Sequence, residues 1–322
     1  MIFLGPMSKN VVDVAIQLTL DNPSINLTFI PSRRQIEYNG GYVNNWTTSE
    51  FCKYVRQKNP LIKIERDHGG PGQGLYDDDG YISLKEDSLY MDIIHIDPWK
   101  KYQSLEDGIQ WTINMINFCN SINPNLEYEI GTEEAIRKLN IDELEEIIIK
   151  VKEKLPSNVF LKIKYLVIQC GTALSEGTNT GNFNRIALEK MIHLANNYGL
   201  LAKEHNGDWI SEYIRKQKQD IGLNYINIAP QLGEAETNAI LDILEKNSSD
   251  FNKLYEICLK SNKWKKWVTE DFIPEENKKK LISICGHYVF SYPEFVIIKN
   301  KYEDIDSIIH SALSNLIQNL CN

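Results

Sequence analysis

The feature that most constrains this chain is an alternation. Eight short apolar runs recur across roughly residues 1–247, most of them followed by a helix-patterned segment: residues 2–5, 25–31, a run opening at Ile62, and 92–98, 126–131, 165–171, 200–207 and 224–230. Ser8 is placed to cap a helix carrying Val11, Val12, Val14, Ala15 and Leu18, and Thr47-Thr48-Ser49-Glu50 opens another ahead of Phe51, Tyr54 and Val55. Further helices are predicted over 83–90, 105–119, from Thr132-Glu133-Glu134, over 142–154, over 182–199 and around Ile240. Strands alternating with helices pair in parallel through right-handed crossovers. Eight units in about 250 residues is the size at which such a sheet closes into a (β/α)8 barrel. An open, doubly wound sheet is the alternative, but it needs a glycine fingerprint after the first strand, and Gly5-Pro6-Met7-Ser8 is not one.

Residues 248–322 have a different character, with Trp264, Trp267, the basic run Lys278-Lys279-Lys280 and an amphipathic stretch from Ile305 to Leu320. They are expected to form a helical extension packed on a barrel of residues 1–247, with the basic run as a solvated helix face.

Composition excludes several classes. No apolar run reaches the roughly 20 residues of a membrane span. The opening MIFLGPMSKN lacks the basic start of a secretory signal. A net charge of −9 with scattered Lys and Arg argues against a nucleic-acid partner. Six cysteines without a CxxC spacing read as reduced thiols in a cytoplasmic protein, so the sequons at Asn26, Asn45 and Asn247 carry no meaning.

In a (β/α)8 barrel, chemistry sits where the strands end. Those ends carry Arg33 and Gln35, Asp67 and His68, His95 and Asp97, Glu129 and Glu133, Gln169 and Cys170, Glu204, His205 and Asp208, and Asn227. Three of the six histidines fall there. Acids and imidazoles converging on one rim suit a divalent cation with an acid/base partner. His68 and His205 are the foremost ligand candidates, because each closes a strand before a glycine-containing loop. His95 lies mid-strand, where an imidazole either ligates or hydrogen-bonds a neighbour inside the barrel. His193 and His310 sit on helices and read as surface or filler. Asp77-Asp78-Asp79-Gly80 lacks the ligand spacing of a calcium loop and reads as a turn capping the next helix.

At these segments the chain resembles the class II, metal-dependent aldolases. It is most similar to the accessory, non-catalytic subunits of tagatose-bisphosphate aldolase and to related sugar epimerases. The resemblance spans about residues 25–240 and rests on QIEYNGGY (35–42), RDHGGP (66–71), IIHID (93–97), YEIGTE (128–133), VIQCG (167–171) and KEHNGDW (203–209). It implies that Asp67 is the acid/base carboxylate; Glu133, on the same rim, is a second candidate for the proton shuttle. It also implies metal ligation by His68, Glu129 and His205 and a substrate contact from Asn227, while Arg33, Gln35, Asp97 and Gln169 are candidate substrate contacts by their place at the strand ends. The implied cofactor is a divalent metal, zinc foremost, with Mn, Ni or Fe as alternatives.

The chain also departs from that pattern. Gln169-Cys170 stands where catalytic aldolases carry a third metal histidine, which leaves a Cys thiolate ligand, a Gln carbonyl ligand or an incomplete site. NGDWIS replaces the glycine-serine loop that holds phosphate. The chemistry implied is a retro-aldol step or sugar epimerisation through a metal-stabilised enediolate, on a ketose or ketose phosphate. The alternative is an accessory subunit without turnover that stabilises a separate catalytic aldolase. A homo-oligomer or a catalytic aldolase subunit is the implied protein partner.

Overall fold

A computed structural model describes residues 2–175, 177–244 and 249–321. The expected boundary at residues 247 and 248, and the Asn247 sequon, lie outside these. Among the described residues there are ten strands: Ile2–Leu4 (β1), Leu27–Phe29 (β2), Lys63–Gly69 (β3), Ile93–Ile96 (β4), Glu127–Ile130 (β5), Ile163–Ile168 (β6), Leu174–Ser175 (β7), Thr178–Asn179 (β8), Leu201–Glu204 (β9) and Tyr225–Ile228 (β10). Eight of them close a parallel barrel in the order β1-β10-β9-β6-β5-β4-β3-β2, as the alternation predicts. The other two, β7 and β8, form a small antiparallel hairpin after β6 that the sequence did not signal.

Local chemistry sets the helix starts. The Ser8 side chain accepts from the Val11 N–H, and Thr47 and Glu50 form a reciprocal capping box. The sequence missed the helix Glu212–Ile221, which links β9 to β10. The helix predicted from Thr132 is absent, and its residues form turns. Their backbone is recruited elsewhere: the Gln169 amide donates to the carbonyls of Thr132 and Arg137, and its oxygen accepts from the Leu139 N–H. Side-chain bonds of this kind compete with helical ones.

Inside the barrel, the period of two stacks layers along each strand. Phe3, Ile30, Ile93 and Tyr165 form an apolar plug, packed with Leu201 and Tyr225. Above it, Lys203 bonds both carboxylate oxygens of Glu65 at 2.9 Å and pairs with Glu129 at 2.5 Å. All three are fully buried. Two residues on from Lys203, just past the end of β9, lies His205, so the charged layer is the floor on which the rim is built.

The C-terminal helices join the same apolar core as the barrel helices. The helix Ile305–Cys321 buries Ile305, Ile309, Leu313, Ile317 and Leu320 at helical spacing. Each such side chain contributes about 1.5–3 kcal/mol over its exposed state. No single helix among the described residues is long and apolar enough to cross a membrane.

Candidate metal centre

Asp67 and His68 are adjacent, and neighbouring residues of a regular strand face opposite sides of the sheet. Here a bulge resolves the conflict. Arg66 pairs with Ile94 and Gly69 with Ile96, so β3 carries one extra residue between them. His68 has φ of 49°, a left-handed conformation that costs a β-carbon-bearing residue about 1–3 kcal/mol and concentrates at functional sites. Asp67 and His68 thereby reach the same cavity. Arg66 instead is buried against Asp87, with contacts of 2.6 and 2.8 Å that tie β3 to the helix Tyr81–Tyr90. At Gly70 an added Cβ would lie 1.9 Å from the Asp97 carbonyl oxygen, so only glycine lets the ends of β3 and β4 meet.

Three imidazoles form a nearly equilateral triangle, with centroids 5.1 Å apart for His68–His95, 5.0 Å for His68–His205 and 5.1 Å for His95–His205. Single ligand atoms from Asp67, His68, His95 and His205 all lie within 4.8 Å of one another. Each ring has its outer nitrogen tethered. His68 Nδ1 is 2.6 Å from Asp97 Oδ2, His205 Nε2 is 2.8 Å from Glu129 Oε1, and His95 Nε2 is 3.0 Å from the Gly131 carbonyl. These partners accept only, so they fix the N–H outward. That leaves His68 Nε2 and His205 Nδ1 facing inward.

Two carboxylates meet those nitrogens. His68 Nε2 lies 3.8 Å from Asp67 Oδ1 and 3.7 Å from Glu133 Oε2, and His205 Nδ1 lies 3.9 and 3.8 Å from the same two oxygens. Around a tetrahedral cation with bonds of 2.0–2.2 Å, neighbouring ligand atoms sit about 3.4 Å apart. These four separations lie a few tenths of an ångström beyond that spacing, and the group that includes His95 reaches 4.8 Å, so the residues present fit a divalent ion once the side chains close in around it. Imidazoles whose second nitrogen donates to a carboxylate or carbonyl are the usual form of metal histidines. His95 is the least free of the three, since its Nδ1 accepts from the His68 backbone N–H at 3.2 Å.

The electrostatics agree. Burial opposes charge on His68, yet Asp67, the Asp97 hydrogen bond and Glu133 outweigh it and raise its pKa to about 10. The field that holds a proton there also favours a cation. His95 is pushed the other way, to about 4, chiefly by burial. Asp97 and Glu129 are lowered despite burial. His68 does this for Asp97, while Lys203, His95 and His205 do it for Glu129.

The remaining sequence candidates divide by position. Glu129, expected as a ligand, stands one layer back, between His205 and Lys203. Asp97, expected to contact substrate, is fully buried behind His68, where Gln73 and Thr132 also donate to it. Asn227 donates to Asp67 at 3.5 Å, and Asn206, also left-handed at φ 57°, donates to Glu133 at 2.7 Å. Gln35 lines the cavity, its oxygen accepting from the Ser32 N–H. Arg33 is buried away from the cluster, clamped by Glu37, Asp78 and the Gly70 carbonyl, and Arg34 takes the place on the cavity wall. Gln169 is occupied with the 132–139 turn. Cys170 donates to Glu204 at 2.6 Å, and burial and that carboxylate hold its thiol protonated. His287 is buried between Tyr42, Tyr288 and Gly233, off this cavity. His193 and His310 are exposed.

The cavity has a volume of about 310 Å³ and is lined in addition by Lys100, Lys266, Trp267 and Tyr288. Sequence reasoning passed over these four. Three of them lie far along the chain from the strand ends and come from the C-terminal extension.

No family model matches the chain, and no curated protein matches it. Solved structures do. A probable tagatose 6 phosphate kinase from Sinorhizobium meliloti 1021 superposes with a TM-score of 0.80 at 12% identity, covering 100% of this chain and 99% of that one. A glycerol complex of the fructuronate-tagaturonate epimerase UxaE from Cohnella laeviribosi gives 0.65 at 11% identity, covering 99% and 80%. The YdjI aldolase from Escherichia coli K12 gives 0.55 at 11% identity, covering 92% and 90%. The chain shares their fold. Aldolases and an epimerase among these neighbours are the groups its strand-end segments resemble.

Proposed function

We propose that the protein is a metal-dependent sugar or sugar-phosphate aldolase or epimerase acting on a ketose. The observation that carries this reading is the tethered imidazole triangle, whose His68 lines one cavity together with the carboxylates of Asp67 and Glu133. His68 and His205, with His95 beside them, would hold a divalent cation, zinc first and Mn, Ni or Fe as alternatives. When bound, the cation supplies electrophilic polarisation of a carbonyl. Asp97 and Glu129 are positioning residues that keep the His68 and His205 rings turned inward. Asp67 and Glu133, on the cavity side of those rings, accept and return the proton of the substrate carbon or hydroxyl. Asn227 orients Asp67, and Gln35 on the cavity wall contacts substrate. Trp267 and Tyr288 exclude water from the mouth. A cytoplasmic setting belongs to the same proposal.

The test is NMR of a panel of ketoses and ketose phosphates with metal-free and metal-restored protein. Exchange, cleavage or epimerisation that needs the metal and is lost in His68→Ala and His205→Ala is the expected outcome. Equal turnover in metal-free protein contradicts the reading. Metal binding with no turnover on any member selects the accessory-subunit alternative.

A further inference from the structure

Lys203 stands inside the barrel with its amine among three carboxylate oxygens, 2.9 Å from both oxygens of Glu65 and 2.5 Å from Glu129 Oε2. The amine also lies 4.0 Å from the Phe3 ring centre and 5.8 Å from that of Tyr165, on the apolar plug. Lys203, Glu65 and Glu129 are all shut off from solvent. Layers of branched apolar side chains fill most barrels of this kind. Replacing a buried ion pair by apolar residues of similar volume is often neutral or stabilising. Stability alone therefore does not call for a lysine between two acids.

The orientation of Glu129 does. Its Oε1 accepts the His205 Nε2–H at 2.8 Å, and its Oε2 faces the Lys203 amine. That second contact is close but off the hydrogen-bond direction, so Oε2 accepts no hydrogen bond among the described residues and is held by charge. Without the ammonium the carboxylate is free to turn about its last bond and leave His205. Lys203 and His205 are two residues apart, so the strand period sets both toward the barrel interior.

We infer that Lys203 is a positioning residue for the metal centre: by pinning Glu129 Oε2 it aims Oε1 at His205 and so turns the His205 Nδ1 lone pair into the cluster. Glu65, from β3, anchors the ammonium and balances its charge. The inference rests on the proposed metal site. It also gives the reason Glu129 stands one layer back from the cluster, since both of its oxygens are engaged by β9 and the residue that follows it.

The test follows the His205 ring N–H by proton–nitrogen NMR in the metal-free full chain, and Zn²⁺ affinity by chelator competition. The variants are Lys203→Met, Lys203→Met/Glu65→Met and Glu65→Gln. An imidazole N–H bonded to a carboxylate gives a downfield, slowly exchanging proton, and wild type is expected to show one for His205 Nε2. In both lysine variants that signal is expected to move upfield or vanish, while the His95 Nε2–H signal to the Gly131 carbonyl stays. Zn²⁺ affinity is expected to fall about tenfold or more, the loss that follows removal of a ligand's tether. The double variant removes the buried pair as a unit and carries the test if Lys203→Met alone does not fold. Glu65→Gln keeps an oxygen acceptor for Lys203 and is expected to hold both readouts within about twofold of wild type. Changes in Glu65→Gln as large as those in the lysine variants would reduce Lys203 to a structural filler and overturn the inference. So would a His205 signal and Zn²⁺ affinity unchanged in the lysine variants. A wild type that binds no Zn²⁺, yet whose His205 signal is lost in those variants, overturns the metal reading and leaves the positioning of His205 standing.

Discussion

Replacing Asp97 by asparagine perturbs the proposed metal centre without touching a proposed ligand. Its Oδ2 receives His68 Nδ1–H at 2.6 Å and the donors of Gln73 and Thr132 at 3.2 Å, while Oδ1 receives the Trp99 N–H at 3.2 Å. Asparagine keeps the shape but turns one oxygen into a donor. If the amide nitrogen faces Trp99, two N–H groups oppose each other. If it faces His68, the imidazole proton moves to Nε2 and blocks the lone pair that points into the cluster. Loss of such a tether costs about 10–100-fold in metal affinity, or about 1.4–2.7 kcal/mol at 1.36 kcal/mol per decade. The assay is chelator competition for Zn²⁺ or Co²⁺, with thermal unfolding of the metal-free forms as a control for folding. Thr132→Val, which removes one neutral bond to the same carboxylate, is expected to lose about fivefold, equivalent to ~1 kcal/mol. Metal affinity of Asp97→Asn within twofold of wild type would refute the tethering argument.

Other consequences are as direct. Arg66→Ala leaves Asp87 buried and unpaired, and a loss of about 3–5 kcal/mol in denaturant unfolding is expected. Cys170→Ser is expected to leave metal stoichiometry unchanged, because the thiol is turned to Glu204; a loss of metal would make Cys170 a ligand after all. Glu236 is buried, and desolvation raises its carboxyl to about 7 despite Ser8 and Asn10. A carboxyl raised in the folded state contributes stability below its unfolded value of 4.5 and loses it as pH rises through 7. Relative to Glu236→Gln, wild type should therefore lose about 3 kcal/mol between pH 4.5 and 8; parallel stability curves for the two proteins would contradict this.

The barrel was legible because its strands and helices follow the periods of two and 3.6 that the side chains impose. The site was legible in composition but less so in orientation. Asp67-His68 marked a strand end, yet the shared direction of both side chains depends on a bulge set by pairing with β4. His95 reads more readily as a core imidazole than as a ligand, because a mid-strand imidazole shows its neighbours only after the barrel closes. Glu129 and Asp97 were placed at the rim by position, whereas closure sets them behind His205 and His68. Arg33 and Arg34 differ by one residue along a loop, where no period tells the buried clamp from the cavity wall. Lys266, Trp267 and Tyr288 reach the cavity through the packing of the extension, for which local sequence carries no signal.

The most direct test of a metal centre held by His68 and His205 is Co²⁺ or Zn²⁺ stoichiometry by elemental analysis, measured on wild type, His68→Ala and His205→Ala after identical metal loading and dialysis. One ion per chain in wild type and near zero in both variants is the predicted result. Equal metal content in all three proteins would contradict it.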